Sequence, residues 1–124
     1  MAFDWREYVT VARDMPQLQS ISSNEAKLRC AVSRAYYGVY CNTRNHAMQR
    51  LNYVSTAKKF KRSEHADLRL FLNGEGGVFP VVAADLERLH NLRKQCDYDD
   101  VVLNCGVLYR EALRLAAKIM GNVP

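Results

Sequence analysis

The residues that could do chemistry gather around Arg93. Val82, Leu86, Leu89, Leu92 and Cys96 recur at helical spacing between Pro80 and Asp97, and Arg93 falls in the middle of that apolar stripe. A guanidinium does not lose its proton, so an arginine aimed at a core needs acceptors there. Asp97 lies one turn on and can pair with it, His90 lies one turn before it, and Tyr98, Asp99 and Asp100 follow at the helix end. Ser33, Tyr36 and Tyr37 offer hydroxyls from a second helix. Two readings stand side by side. One is a buried Arg–Asp–Tyr network that fixes helix packing. The other is a cleft in which Arg93 holds a phosphate.

The helix that must present those hydroxyls spans residues 24–51. Leu28, Val32, Ala35 and Val39 repeat along one face, and Cys30, Tyr37, Cys41 and Met48 along the opposite one. A helix apolar on two opposite sides has to be covered twice, by its own domain and often by a second copy. At 1.5 Å per residue it is about 42 Å long. Ser22 and Glu25 read as its capping box. Ahead of it, Asp4 and Glu7 form a similar box for a first helix that buries Trp5, Tyr8, Val9, Ala12 and Met15 and stops at Pro16.

Downstream, Ser63 caps a short helix through Asn73, with Leu68, Phe71 and Leu72 inward; Asn73, Gly74, Gly76 and Gly77 turn the chain. That glycine cluster is no phosphate-binding loop, because no strand precedes it and no G-K-[ST] follows. Pro80 suits a helix start, and the helix runs to about Asp97. Asp99 or Asp100 caps a last helix over residues 101–120. It buries Val102, Cys105, Leu108, Tyr109, Ala112, Leu115, Ala116 and Ile119 and ends at Gly121. No segment alternates at period two, so no strand is expected. The expected fold is all-α: one domain over residues 1–124, an up-and-down bundle of four main helices plus one short helix.

Composition narrows the partners. The chain has 124 residues, 48% hydrophobic and 25% charged, as an ordinary folded domain does. It lacks an apolar run of about 18 residues and an apolar leader after Met1, so the expectation is no membrane association and a cytoplasmic location. Cys30, Cys41, Cys96 and Cys105 form no C-x-x-C pair and are expected as free buried thiols. His46, His65 and His90 show no ligand spacing with them, so neither a metal nor a cofactor is expected. Net charge is +5, unevenly spread: residues 24–62 hold nine Lys and Arg against Glu25 alone, a local +8. Such asymmetry fits a polyanion partner as well as a solvated face. Within it, Lys58, Lys59, Phe60, Lys61 and Arg62 form a cationic run around one aromatic, which is either a phosphate-holding loop with a stacking ring or a solvated loop with Phe60 as core anchor.

Ser33-Arg34-Ala35-Tyr36-Tyr37, followed by Tyr40, resembles the S-x-A-Y-Y-x-x-[FY] helix of small stand-alone prokaryotic HEPN-domain proteins. Leu92-Arg93-Lys94-Gln95-Cys96-Asp97-Tyr98-Asp99 is similar to their L-R-x-x-A-D-Y-D segment, with Cys96 where Ala is usual. The likeness covers roughly residues 24–118, in the family's order. It implies a HEPN-like bundle that forms a homodimer with its clefts at the interface. For function it implies RNA. Many members look like metal-independent ribonucleases of toxin–antitoxin or antiphage systems, often beside a small nucleotidyltransferase that serves as antitoxin partner. In their R-x(4–6)-H motif the arginine holds the scissile phosphate and the histidine moves the proton. Arg93 matches the arginine. Tyr98 stands where the histidine is expected, and no histidine follows His90. A tyrosine with an ordinary pKa near 10 is a poor base at neutral pH.

The candidate catalytic residues are therefore Arg93, Tyr98, Asp97 and His90, and the candidate binding residues Tyr37, Ser33, Arg34 and Tyr36. Three functions follow from them: a dimer that binds RNA or a nucleotide without the family's histidine, a metal-independent ribonuclease using Arg93 with Tyr98, Asp97 or His90, and a non-catalytic protein-interaction module.

Overall fold

The computed structural model describes residues 2–124. Its elements are α1 (Arg6–Asp14), α2 (Asn24–Arg50), α3 (Ala57–Phe60), α4 (Glu64–Asn73), α5 (Phe79–Tyr98) and α6 (Cys105–Asn122), with a 3₁₀ turn over Met15–Gln17. The fold is an all-α bundle, with no strand among the described residues. The single-turn α3, inside the cationic run, adds a helix where sequence periodicity indicates none.

The long α2 is the axis, packed by α1, α5 and α6, while α4 leans on α5. Leu28, Val32, Ala35 and Val39 are buried on it as expected. The opposite strip is not a second buried face. Cys30 is exposed, Tyr37 is half-buried, Cys41 is buried and Met48 is 55% exposed. The covered arc is instead broad and continuous, and Ala31, Tyr36, Gly38 and Tyr40 belong to it. Gly38 shows why α1 can close over α2: a Cβ there would lie 3.0 Å from the Trp5 carbonyl oxygen, Tyr8 Cβ and Val9 Cγ2. A bare Cα is what lets the two backbones approach.

Several helix ends differ from expectation for identifiable reasons. Ser23, not Ser22, caps α2, accepting from the Ala26 N–H at 3.2 Å, and Glu25 pairs with Arg29 instead of closing a box. The Asp4 carboxylate takes the Arg6 N–H and the Arg6 guanidinium, so no box forms with Glu7. Ser63 caps α4 as read, accepting from Ala66 N–H at 3.0 Å. Gly76 and Gly77, both at positive φ, turn the chain into α5, where Pro80 sits in the first turn. Neither Asp99 nor Asp100 caps α6. The Arg29 guanidinium donates to the backbone carbonyls of Cys96, Asp99 and Asp100, which extends the chain past α5, and α6 starts only after the left-handed Asn104. Gly121 does not end α6. Val123 is fully buried and its carbonyl accepts from Asn42 Nδ2 at 3.1 Å, so tertiary anchoring carries the helix past the glycine. No helix among the described residues is long and apolar enough to cross a membrane.

Candidate functional site

Three helices build the site. α5 contributes His90, Arg93, Asp97 and Tyr98; α2 contributes Ser33, Tyr36, Tyr37 and Tyr40; α4 contributes His65 and Arg69. The Arg29 contacts hold the last turn of α5 against α2, and so fix where Asp97 and Tyr98 point.

Arg93 is nearly enclosed, its side chain 11% exposed. Its Nε donates to Asp97 Oδ2 at 2.8 Å, and one Nη2 hydrogen reaches the Tyr98 hydroxyl at 3.3 Å. Its Cζ lies 4.9 Å from the Tyr37 ring centre and 5.4 Å from that of Tyr98, within cation–π range. Ser33 donates to the same Asp97 oxygen at 3.3 Å, and so ties α2 to α5. A guanidinium has five N–H donors in a flat fork. Two of them are used here, and Nη1 makes no hydrogen bond among the described residues. The cation is thus buried and aligned but not saturated. The site meets solvent through Tyr98, which is 69% exposed.

The second half of the site is a stack of rings. His65 and His90 lie 4.8 Å apart and 7° from parallel. Tyr36 stacks on His90 at 5.0 Å and its hydroxyl is hydrogen-bonded to His65 Nδ1, while Tyr40 tilts over His65 at 4.3 Å. Tyr37 joins the halves, its ring 6.2 Å from His65 and against Arg93. Arg69 Nη1 lies 3.3 Å from His90 Nδ1. A guanidinium only donates, so Nδ1 accepts and the His90 proton sits on Nε2. Burial, then the adjacent His65 and the cations Arg69, Lys94 and Arg93, lower the His90 pKa to about 4. Burial and the same two arginines lower that of His65. Both imidazoles are therefore neutral at pH 7, as a proton acceptor must be. Burial also drives the Tyr36 hydroxyl far above its ordinary range and that of Tyr40 up to about 12, which keeps both as neutral hydrogen-bonding groups.

The structure brings together Arg93, Asp97, Tyr98, Ser33, Tyr36, Tyr37 and His90. It does not bring in Arg34, whose Cζ lies 5.3 Å over the Tyr8 ring on the α1 side of α2. Residue-by-residue reading missed His65 and Arg69. A signal for His65 was present: it shares helical phase with Leu72, seven residues on, and so lies on the buried side of α4. Arg93 lines neither the cavity of about 580 Å³ beside Asn42, His46 and Arg50 nor the one of about 400 Å³ beside Arg44, Met48 and Val54. Among the described residues no three His, Cys, Asp or Glu side chains gather as metal ligands. Cys41, Cys96 and Cys105 are buried free thiols, whereas Cys30 is exposed. Comparison with protein-family models, curated proteins and solved structures returns no match to this chain.

Proposed function

We propose that the Arg93 cluster binds RNA or a nucleotide, in a HEPN-like homodimer belonging to a toxin–antitoxin or defence module with a nucleotidyltransferase as antitoxin partner. One observation carries the binding reading: a nearly buried guanidinium that keeps donors unspent while two tyrosine rings hold it in place. A phosphate is a ligand for such a fork, and a neighbouring ring is a platform for a base. The family likeness supplies the biological setting. Fluorescence anisotropy with labelled single-stranded RNA at low salt tests the binding. Arg93→Ala is expected to weaken it at least ten-fold, and equal affinity overturns the reading.

A specific observation favours a second reading, metal-independent RNA cleavage. His65 arrives from α4 to lie on His90, so imidazole is present although no histidine follows Arg93 in the sequence. Arg93 would hold the phosphate and the neutral His65 imidazole, with Nδ1–H donated to the Tyr36 hydroxyl, would accept the 2′-hydroxyl proton at Nε2, while His90, its Nδ1 occupied by Arg69, holds the His65 ring in place. RNA incubated with the protein in chelator is expected to be cut, and His65→Gln or His90→Gln to stop it. Intact RNA with the unaltered protein removes this reading and leaves binding standing.

A further inference from the structure

The cationic run at α3 is set out with more care than a solvated loop requires. Asp67, 2% exposed, accepts from Tyr53 Oη at 2.8 Å, Thr56 N at 2.9 Å, Thr56 Oγ1 at 2.7 Å and Arg62 Nε at 2.7 Å. Those bonds pin residues 53–62 from behind. What the pinned segment shows to solvent is Lys58, Lys59, Lys61 and the Phe60 ring, which is 56% exposed. Phe60 is no core anchor. Lys59 Nζ lies 5.4 Å and Arg62 Cζ 4.9 Å from its ring centre. Leaving a phenyl ring in water forgoes the gain of burying it.

This corner is not isolated from Arg93. The half-open strip of α2 runs from Tyr37, against Arg93, past Arg44 to Met48. Arg44 lies over Tyr40, which itself covers His65. Arg44 and Met48 then line the cavity of about 400 Å³ with Val54 and Ser55, and α3 begins two residues beyond Ser55. The one carboxylate in that lining, Glu64, accepts from the Ser55 hydroxyl. The route thus carries Arg93, Arg44 and the α3 lysines as cations, with Tyr37, Tyr40, Met48 and Phe60 as flat or soft surfaces between them.

We infer that the α3 corner is a second contact for the same strand: a single-stranded RNA of several nucleotides, not a mononucleotide, runs from Arg93 along the α2 strip and stacks a base on Phe60 while the lysines meet its phosphates. This rests on the RNA reading above and narrows its ligand to an extended single strand. Charge complementarity selects the occupant, since this segment lies within the +8 region. The exposed ring among the cations distinguishes a base-bearing polyanion from a bare one.

The test is anisotropy with a labelled single strand of about a dozen nucleotides. Phe60→Ala is expected to weaken binding about five-fold or more. Replacing Lys58, Lys59 and Lys61 by Gln is expected to lower the slope of log affinity against log salt by about 2. A mononucleotide is expected to compete poorly and to be indifferent to both variants. These residues lie outside the core, and a urea midpoint equal to that of the parent protein checks that the fold is kept. If Arg93→Ala abolishes binding while both corner variants bind like the parent, the corner inference falls and the Arg93 site stands. If the corner variants lose affinity and Arg93→Ala does not, the Arg93 site falls and the corner stands. Equal binding of poly-glutamate or phosphatidylserine vesicles, unaffected by Phe60→Ala, overturns base recognition. A dimer that Met48→Arg dissociates without changing RNA affinity assigns the strip to a second copy instead.

Discussion

Two arginine–aspartate pairs in this bundle have the same partners and opposite construction. At Arg62–Asp67 the acid is the buried member: Asp67 is 2% exposed, while the Arg62 side chain is 31% exposed. At Arg93–Asp97 the cation is the buried member, 11% exposed against 25% for the Asp97 side chain. A buried carboxylate only accepts, and four donors converge on Asp67. The carboxylate is saturated, and Arg62, which spends Nε on it and one Nη2 hydrogen on Thr56 Oγ1, stands on the solvent side of the pair. A buried guanidinium has five donors, and two are used at Arg93. The packing network that the sequence allowed at Arg93 is therefore realised in full at Asp67. Both arginines spend two donors, so what separates the pairs is the member enclosed: a saturated carboxylate at Asp67, a guanidinium with unspent donors at Arg93.

The largest expected effect falls on the closed pair. Asp67→Ala strands the buried Tyr53 hydroxyl and frees residues 53–62, at a cost of about 3 kcal/mol in urea unfolding. A loss under about 1 kcal/mol would remove the contrast. Arg93→Ala is expected to do the reverse, costing about 1 kcal/mol in the same assay because the Asp97 carboxylate it leaves behind is 25% exposed and can be solvated, while removing RNA affinity. A stability loss equal to that of Asp67→Ala would make Arg93 a packing residue.

Acid separates the regions next. Burial raises the Asp67 carboxyl, but the bonds from Thr56, Arg62 and Tyr53 outweigh it and hold its pKa well below the ordinary 3.8. Its stabilisation is present above that value and is lost as pH falls through it toward the folded pKa. The ring stack works in a higher window. With the pKa of His90 near 4, the unfolded chain takes up its proton first as pH falls below about 6.5, so the fold weakens between those values. Urea midpoints should therefore drop from pH 7 to pH 5. His90→Gln is expected to flatten that drop and to leave the lower window unchanged, whereas Asp67→Asn is expected to flatten the lower window alone. Ser33→Ala is the smallest change: it removes one 3.3 Å bond to Asp97, is expected to cost under about 1 kcal/mol, and sharpens the comparison by showing that Arg93 is aligned mainly by Asp97 and the rings.

Legibility followed the range of the interactions. The interior positions of α2, α4, α5 and α6 read well because each apolar stripe reports a face that must be buried. Helix ends read poorly where a distant group overrides the local signal. Arg29, reaching from α2, displaced the aspartate cap of α6, and buried Val123 carried α6 through Gly121. At the site, the Arg93–Asp97 pairing was legible because it is one helical turn long.

The sequence by itself determined that this chain is all-helical, that α2 is its longest helix, and that Arg93 faces inward with an acid one turn away. Those follow from periodicity, which is local. Only the tertiary structure decided that His65 lies on His90, that Arg34 turns to α1, that one side of α2 stays half-open, and that Asp67 secures the α3 corner. Each of these depends on where one helix lies against another. That placement is set by the packing of whole faces, to which no single residue's spacing gives access.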